Sequence, residues 1–431
     1  MSTRLLALGL LLAAATPGLA ADCPARAEAI LLALDEGRFK DASEPFDARM
    51  SAALPAEQLG QVWNSLPAQV GARKSRGEVI AGTQGGHATA TIPLEFEQMW
   101  LALDIACDAE GKVGGLFVRP YSPPQPAASG PWRERELMVA TADVELPGTL
   151  TLPTGDVRAA AVLVHGSGPN DRDETIGPNK PFRDLAHGLA EAGIATLRYD
   201  KRTLAAPQSL AGRPFTVHEE VVADARSALA TLAAQPELAG KPRFLIGHSL
   251  GALLAHRVAA GAPGLTGVVQ LAAPARPLGD MILAQSRYLA ALDGETSAEE
   301  AAKLAELDAV IQKIRALGEQ DAARTDVLIG APPAYWLDLA RHDAIAKARG
   351  IAAPTLLLQG EADYQVTLVE DFAVWRDALS GEPWFTAQSF AGLNHLFMPA
   401  GSPPSPNDHL KAARFDPQVI AVIADWMKRH P

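Results

Sequence analysis

Phe244-Leu245-Ile246-Gly247-His248-Ser249-Leu250-Gly251, continuing into Ala252 to Ala260, is an apolar strand that enters a Gly-x-Ser-x-Gly turn and leaves it as a helix. The glycines have a steric reason: a serine at such a tight turn holds a strained backbone, and side chains two residues away on either side would collide. The turn carries the serine Oγ above the end of a sheet, and the flanking sequence says which kind of sheet. Apolar runs at Ala160 to Val164, Ile194 to Tyr199, Arg243 to Ile246, Gly267 to Leu271 and Thr355 to Leu358 alternate with amphipathic helices. That alternation predicts an α/β fold, a mostly parallel sheet flanked by helices on both faces. Thr216 with Glu219, Thr367 with Glu370, and Asp416-Pro417 mark helix starts, the last opening a helix through Met427. From about 278 to 350 the alternation stops. Leu304, Leu307, Ile311 and Ile314 recur there at helical spacing behind a Ser297 to Glu300 capping box, which predicts a helical cap inserted over the strand ends.

A serine hydroxyl is a weak nucleophile at neutral pH and needs a histidine held in one tautomer by a carboxylate. On a strand–turn–helix scaffold these follow in the order Ser, acid, His. Thr355 to Leu358 ends in Gln359-Gly360-Glu361-Ala362-Asp363, so Asp363 stands in the loop where the acid is wanted, with Glu361 as the alternative. After the strand Trp384 to Phe390 comes Gly392-Leu393-Asn394-His395, which supplies the base. Attack on a carbonyl also creates an oxyanion that preorganised N–H donors stabilise. The N–H of Leu250 is one donor, and Ser167 in the loop His165-Gly166-Ser167-Gly168-Pro169 is the other. A dinucleotide loop is the competing reading of Gly166 and Gly168, and it fails because no third glycine opens a helix after them. Tyr335, Trp336 and Tyr364 are candidate pocket aromatics, with Trp336 equally readable as cap core. No cofactor and no metal are expected.

From about Arg133 onward the chain resembles the α/β-hydrolase superfamily. His165-Gly166-Ser167-Gly168-Pro169, Asp171-Arg172-Asp173, Pro181-Phe182 and Arg198-Tyr199-Asp200-Lys201-Arg202 are similar to a secreted bacterial branch of esterases and serine aminopeptidase-like hydrolases. The resemblance implies Ser249 as nucleophile, Asp363 as orienting acid and His395 as base, and leaves the substrate open. Arg172, Asp173, Asp200 and Arg202, near the mouth of the sheet, read as salt-bridge partners or as substrate ligands.

The 431 residues are 48% hydrophobic and 20% charged, globular composition with room for more than one domain. Lys+Arg 38 against Asp+Glu 50 gives a net charge of -12, which disfavours nucleic acid as a partner. Arg4, an apolar run from Leu5 to Ala15, Thr16-Pro17 and Gly18-Leu19-Ala20-Ala21 form a secretory signal pattern over residues 1–21, so export to the periplasm or beyond is expected, with no membrane span in the mature chain. Export makes a disulfide between Cys23 and Cys107 plausible, closing a loop worth about 4 kcal/mol in the chain-entropy model. Residues 22–119 read as helices followed by an antiparallel sheet, with a hairpin about Gly85-Gly86, making a small α+β domain. They resemble an uncharacterised cystatin-like domain found ahead of some secreted bacterial hydrolases, through Phe46-Asp47, Trp63 and Gly111-Lys112-Val113-Gly114-Gly115-Leu116. A proline-rich linker, 120–132, separates them from the hydrolase-like residues 133–431.

Three functions are compatible with this reading. The first is a serine hydrolase that cleaves small or moderate carboxylic esters through an acyl-enzyme. The second is a peptidase on short peptides, with an acidic residue of the cap, within Glu295 to Glu300, meeting the free amine. The third is a binding protein on an inactive hydrolase scaffold. Activity that falls on acidification is expected of a histidine base.

Overall fold

The computed structural model describes residues 23–84, 86–97, 99–121 and 129–430; the expected signal peptide, Gly85 and most of the linker lie outside them. The chain divides into two compact units, Met1–Gln125 and Pro126–Pro431.

In the first unit the helices Cys23–Asp35, Phe39–Ser43, Ala48–Ala53 and Ala56–Val70 precede five strands: β1 (Arg73–Arg76), β2 (Ile80–Gln84), β3 (His87–Phe96), β4 (Trp100–Cys107) and β5 (Val113–Pro120). All pairings are antiparallel, in the order β1-β3-β4-β5 with β2 also on β3. Alternation along β3 and β4 turns Ile92, Leu94, Leu103 and Ile105 onto Ile30, Leu31 and Leu34 of the first helix. A disulfide joins Cys23 to Cys107 with Cα atoms 5.9 Å apart, fastening the start of that helix to the end of β4. Asp47 caps the helix Ala48–Ala53 by accepting from Met50 N at 2.6 Å, while its own N–H donates to Val113 O at 3.0 Å. One short sequence thereby orders a helix start and the start of β5.

The second unit is built on an eight-stranded sheet: β6 (Trp132–Ala140), β7 (Glu145–Pro153), β8 (Ala159–Val164), β9 (Ile194–Tyr199), β10 (Arg243–His248), β11 (Gly267–Leu271), β12 (Thr355–Gly360) and β13 (Phe385–Phe390). The order β13-β12-β11-β10-β8-β9-β7-β6 is parallel from β13 to β9, and β7 and β6 continue it antiparallel. β8 shows why the fold needs continuous apolar runs. Ala160, Val162 and Val164 face a core with Ala225, Leu229 and Leu254, whereas Ala161 and Leu163 face Phe182, Leu185, Ile423 and Trp426. Both faces are buried, so a polar residue has no side to occupy, and each fully buried Val or Leu contributes about 1.5–3 kcal/mol.

The edge hairpin β6–β7 is absent from the sequence reading, for a physical reason: β6 is mostly exposed, with Arg133, Glu134, Arg135 and Glu136 in succession, and shows no apolar period. The cap segment contains the helices Leu278–Ala290, Ala298–Arg315, Pro333–Ala340 and Ala344–Ile351. The Ser297 capping box forms, and Ile311 is the side chain of its helix that is fully buried. At Thr216 and Thr367 the expected helix starts instead open on π-helical turns, His218–Val222 and Leu368–Phe372. Thr367 still caps Glu370 N at 3.1 Å, but Asp371 rather than Glu370 accepts the Thr367 N–H, at 2.8 Å. No helix among the described residues is long and apolar enough to cross a membrane.

Candidate active site

Ser249 follows β10 and precedes the helix Leu250–Ala259 with φ 52° and ψ −116°, a conformation that L-residues rarely adopt. The surrounding glycines are sterically required. A Cβ on Gly247 would stand 2.4 Å from Gly251 O, and one on Gly251 would stand 2.2 Å from Val164 O. Ser249 N donates to Leu271 O at 2.9 Å, so β11 anchors the turn from the other side.

Asp363 and His395 come from the loops after β12 and β13, whose register runs Leu358↔Gln388 to Gly360↔Phe390. His395 Nδ1 meets Asp363 Oδ2 at 2.7 Å, with both side chains buried. Asp363 is itself held: Oδ1 accepts from Gln365 N (2.8 Å) and Val366 N (3.0 Å), and Oδ2 from Gln359 Nε2 (3.1 Å). Glu361 is turned elsewhere, accepting from Ser389 Oγ at 2.7 Å on an exposed edge. His248 joins the His395 loop to the serine turn. Its Nε2 bonds the His395 carbonyl at 3.0 Å, and the two rings lie 4.6 Å apart.

Ser249, Leu250 and Ser167 line one cavity of about 520 Å³ together with Tyr335, Trp336, Phe215, Glu220 and Arg276. As the first residue of its helix, Leu250 carries one of the N–H groups that have no acceptor within the helix. Tyr335 packs edge-on to Phe215 at 5.8 Å, and Trp336 donates Nε1–H to Leu328 O at 2.8 Å. Trp336 is therefore both cavity wall and cap core. Tyr364 lies outside this lining, stacked on Tyr288 at 5.2 Å in a separate hollow of about 400 Å³ beside Asp363. Burial and the Asp363 charge push its hydroxyl up to about 12.

Arg172, Asp173, Asp200 and Arg202 form ion pairs and line no part of the cavity. Arg172 grips Asp200 through Nε (3.0 Å) and Nη2 (3.1 Å), Arg198 binds Asp173, and Arg202 bridges Asp224 (2.7 Å) and Asp143 (3.0 Å). Glu295 to Glu300 stands at an exposed helix start away from Ser249's cavity.

A buried ionic layer behind the Gly166 loop escaped the sequence reading. Gly166 N donates to Glu174 Oε1 (2.8 Å), Glu174 Oε2 pairs with His248 Nδ1 (3.0 Å), and Lys201 Nζ lies 2.7 Å from Glu220 Oε1. Burial raises the Glu174 carboxyl, but the His248 charge and hydrogen bond, with the Gly166 N–H, outweigh it and leave its pKa lowered. Burial lowers His248, and Glu174 with the His395 carbonyl outweighs that, leaving it raised. His165, buried without enough compensation, falls to about 4 and is neutral at pH 7. The signal for this layer was weak: charged residues beside strand ends are usually solvated, and only tertiary packing encloses these. Among the described residues no group of three or more His, Cys, Asp or Glu could hold a metal ion.

Comparison with known proteins agrees with this architecture. Residues 155–371 match the family model described as serine aminopeptidase, S33, a match that ends before His395, and residues 27–116 match a protein family of unknown function (DUF3887). Esterase EstD of Thermotoga maritima is 34% identical over 404 residues, 91% of this chain and 92% of its own. Among solved structures, the esterase domain of a Rhodothermus marinus protein is 21% identical, with TM-score 0.43 over 69% of this chain and 99% of that one. Est1E from Butyrivibrio proteoclasticus is 15% identical, with TM-score 0.44 over 68% and 98%. A family model covering half the chain and an esterase aligned over nine-tenths of it leave one assignment: the chain belongs to the serine aminopeptidase S33 family of α/β-hydrolases and is a carboxylesterase-like hydrolase.

Proposed function

We propose that the protein hydrolyses uncharged carboxylic esters of small to moderate size through Ser249, His395 and Asp363. His395 takes the Ser249 Oγ proton as Oγ bonds the carbonyl carbon, and the N–H groups of Leu250 and Ser167 receive the oxyanion. Collapse breaks the bond to the alkoxy oxygen, which leaves with the proton from His395. A water then attacks the acyl carbon as His395 takes its proton, and the bond to Oγ breaks as His395 passes that proton to Oγ, releasing the acid and a free Ser249. Asp363 holds Nδ1–H toward itself, which presents the other ring nitrogen as the base.

The observation that favours an ester over a peptide is the charge balance of the cavity. Of its lining residues only Glu220 and Arg276 are charged, and both are paired, Glu220 with Lys201 at 2.7 Å and Arg276 with Asp371 at 2.6 Å. A free α-amine would need an unpaired carboxylate to replace its hydration. The test compares p-nitrophenyl butyrate with alanine p-nitroanilide, using the protein and Ser249→Ala. We expect ester turnover that Ser249→Ala abolishes and anilide turnover at least 10²-fold lower; a preference for the anilide would reverse the assignment. Residues 1–21 serve as an export signal in this reading, and amino-terminal sequencing of protein recovered from outside the cytoplasm should begin near Ala21.

A further inference from the structure

Behind the Gly166–Ser167 peptide stands a buried ammonium. Lys201, 3% exposed in the loop after β9, donates Nζ–H to the Gly166 carbonyl at 2.9 Å. Asn170 Nδ2 adds a longer bond to the same oxygen at 3.3 Å. Enclosing an ammonium carries a desolvation penalty that its pairing with the Glu220 carboxylate, 2.7 Å from Nζ, offsets, and the paired ammonium is left with a donor aimed at this one backbone carbonyl. A trans peptide is planar, and its C=O and N–H point in opposite directions. A donor fixed on Gly166 O therefore turns the Ser167 N–H the other way, and Ser167 lines the cavity with Ser249. The preceding peptide is held as well, since Gly166 N donates to Glu174 at 2.8 Å. Gly166 has no side chain to restrict it, and a Cβ there would crowd Ser249 Cβ at 3.1 Å. Its two neighbouring peptides set its conformation.

We propose that Lys201 is a positioning residue for acyl transfer, orienting and polarising the Gly166–Ser167 peptide so that the Ser167 N–H is preset for the oxyanion formed at Ser249. The inference rests on the serine-hydrolase reading above. It goes beyond it by giving the oxyanion loop a charged backstop. A hydrogen bond to a carbonyl polarises the whole amide and strengthens its N–H as a donor.

The experiment measures p-nitrophenyl butyrate turnover, inhibition by an alkyl trifluoromethyl ketone and the thermal midpoint for the wild type, Ser249→Ala, Lys201→Met, Glu220→Gln and Lys201→Met/Glu220→Gln. The double variant removes the carboxylate that Lys201→Met leaves unpaired and carries the test where the single variant does not fold; because Glu220 lines the cavity, the double variant is read against Glu220→Gln alone. The hemiketal of the ketone places its oxygen where the oxyanion forms. The expected result is kcat lower by about 10²-fold in the lysine variants with KM within about threefold. Ketone affinity should fall by the same factor as kcat/KM. A folded lysine variant with kcat within threefold of the wild type (of Glu220→Gln for the double variant), or one whose kcat falls while ketone affinity stays, overturns the proposal. An inactive wild type overturns the hydrolase reading itself, a separate outcome.

Discussion

Asp363 is held by three donors besides His395, and that is how a carboxylate fixes an imidazole: its own freedom has to be removed first. Asp363→Asn keeps the volume but presents an amide to Nδ1 and favours the wrong tautomer. We expect kcat to fall by about 10³–10⁴-fold in protein that still folds, with a lowered thermal midpoint because the amide nitrogen cannot accept from Gln359 Nε2. Glu361→Gln, two residues away on an exposed edge, should stay within about twofold, as surface substitutions usually do. Equal losses from both would contradict the choice of acid. The positions of Ser249 and Asp363 were legible in the chain because each follows an apolar strand, and a strand end has a defined place in a parallel sheet; His395 follows the more polar edge strand β13 and was legible from the Ser, acid, His order. The partners of Glu174, His248 and Lys201 were not legible, because nothing local distinguishes a charge that packing will enclose from one that water will surround.

Among the elements, the strands buried on both faces were legible from their apolar runs, whereas the β6–β7 hairpin was hidden by its exposed charges. The two π-helical turns were hidden for another reason. Thr216 and Thr367 carry ordinary cap chemistry, and a π turn changes only which acceptor each N–H finds. At His218–Val222 the turn buries Glu220 in the cavity lining, so the departure from a regular helix helps shape the site. The buried imidazoles bracing β8 and the helix Leu250–Ala259 give a pH prediction. Burial lowers His165 and His256 from 6.5 to about 4, so between those values the unfolded chain binds protons that the folded chain does not. Stability should therefore decline as the pH drops from 6.5 to about 4 and level off for these groups below it, by something on the order of 3 kcal/mol for each histidine. Denaturant melts across that window check this, and His256→Gln should make the decline shallower; an unchanged slope would contradict the role of His256.

On the scale of the whole molecule, the chain joins two units that meet different stability problems. The second builds large cores on both faces of its sheet. The first, smaller unit adds a cross-link between residues 84 apart in sequence, worth about 4 kcal/mol by chain entropy. Alkylation of the denatured, unreduced protein should leave its mass unchanged, while alkylation after reduction should add two groups, one for each cysteine. Mass added without reductant would mean free thiols. The central claim, an activated serine at Ser249, is tested most directly by intact-mass and peptide analysis after treatment with a fluorophosphonate, which phosphonylates only a serine made nucleophilic by its surroundings. The account predicts one adduct, on the peptide carrying Ser249, abolished in Ser249→Ala and slowed by orders of magnitude in His395→Ala. An adduct on another residue, or none on the folded wild type, would contradict it.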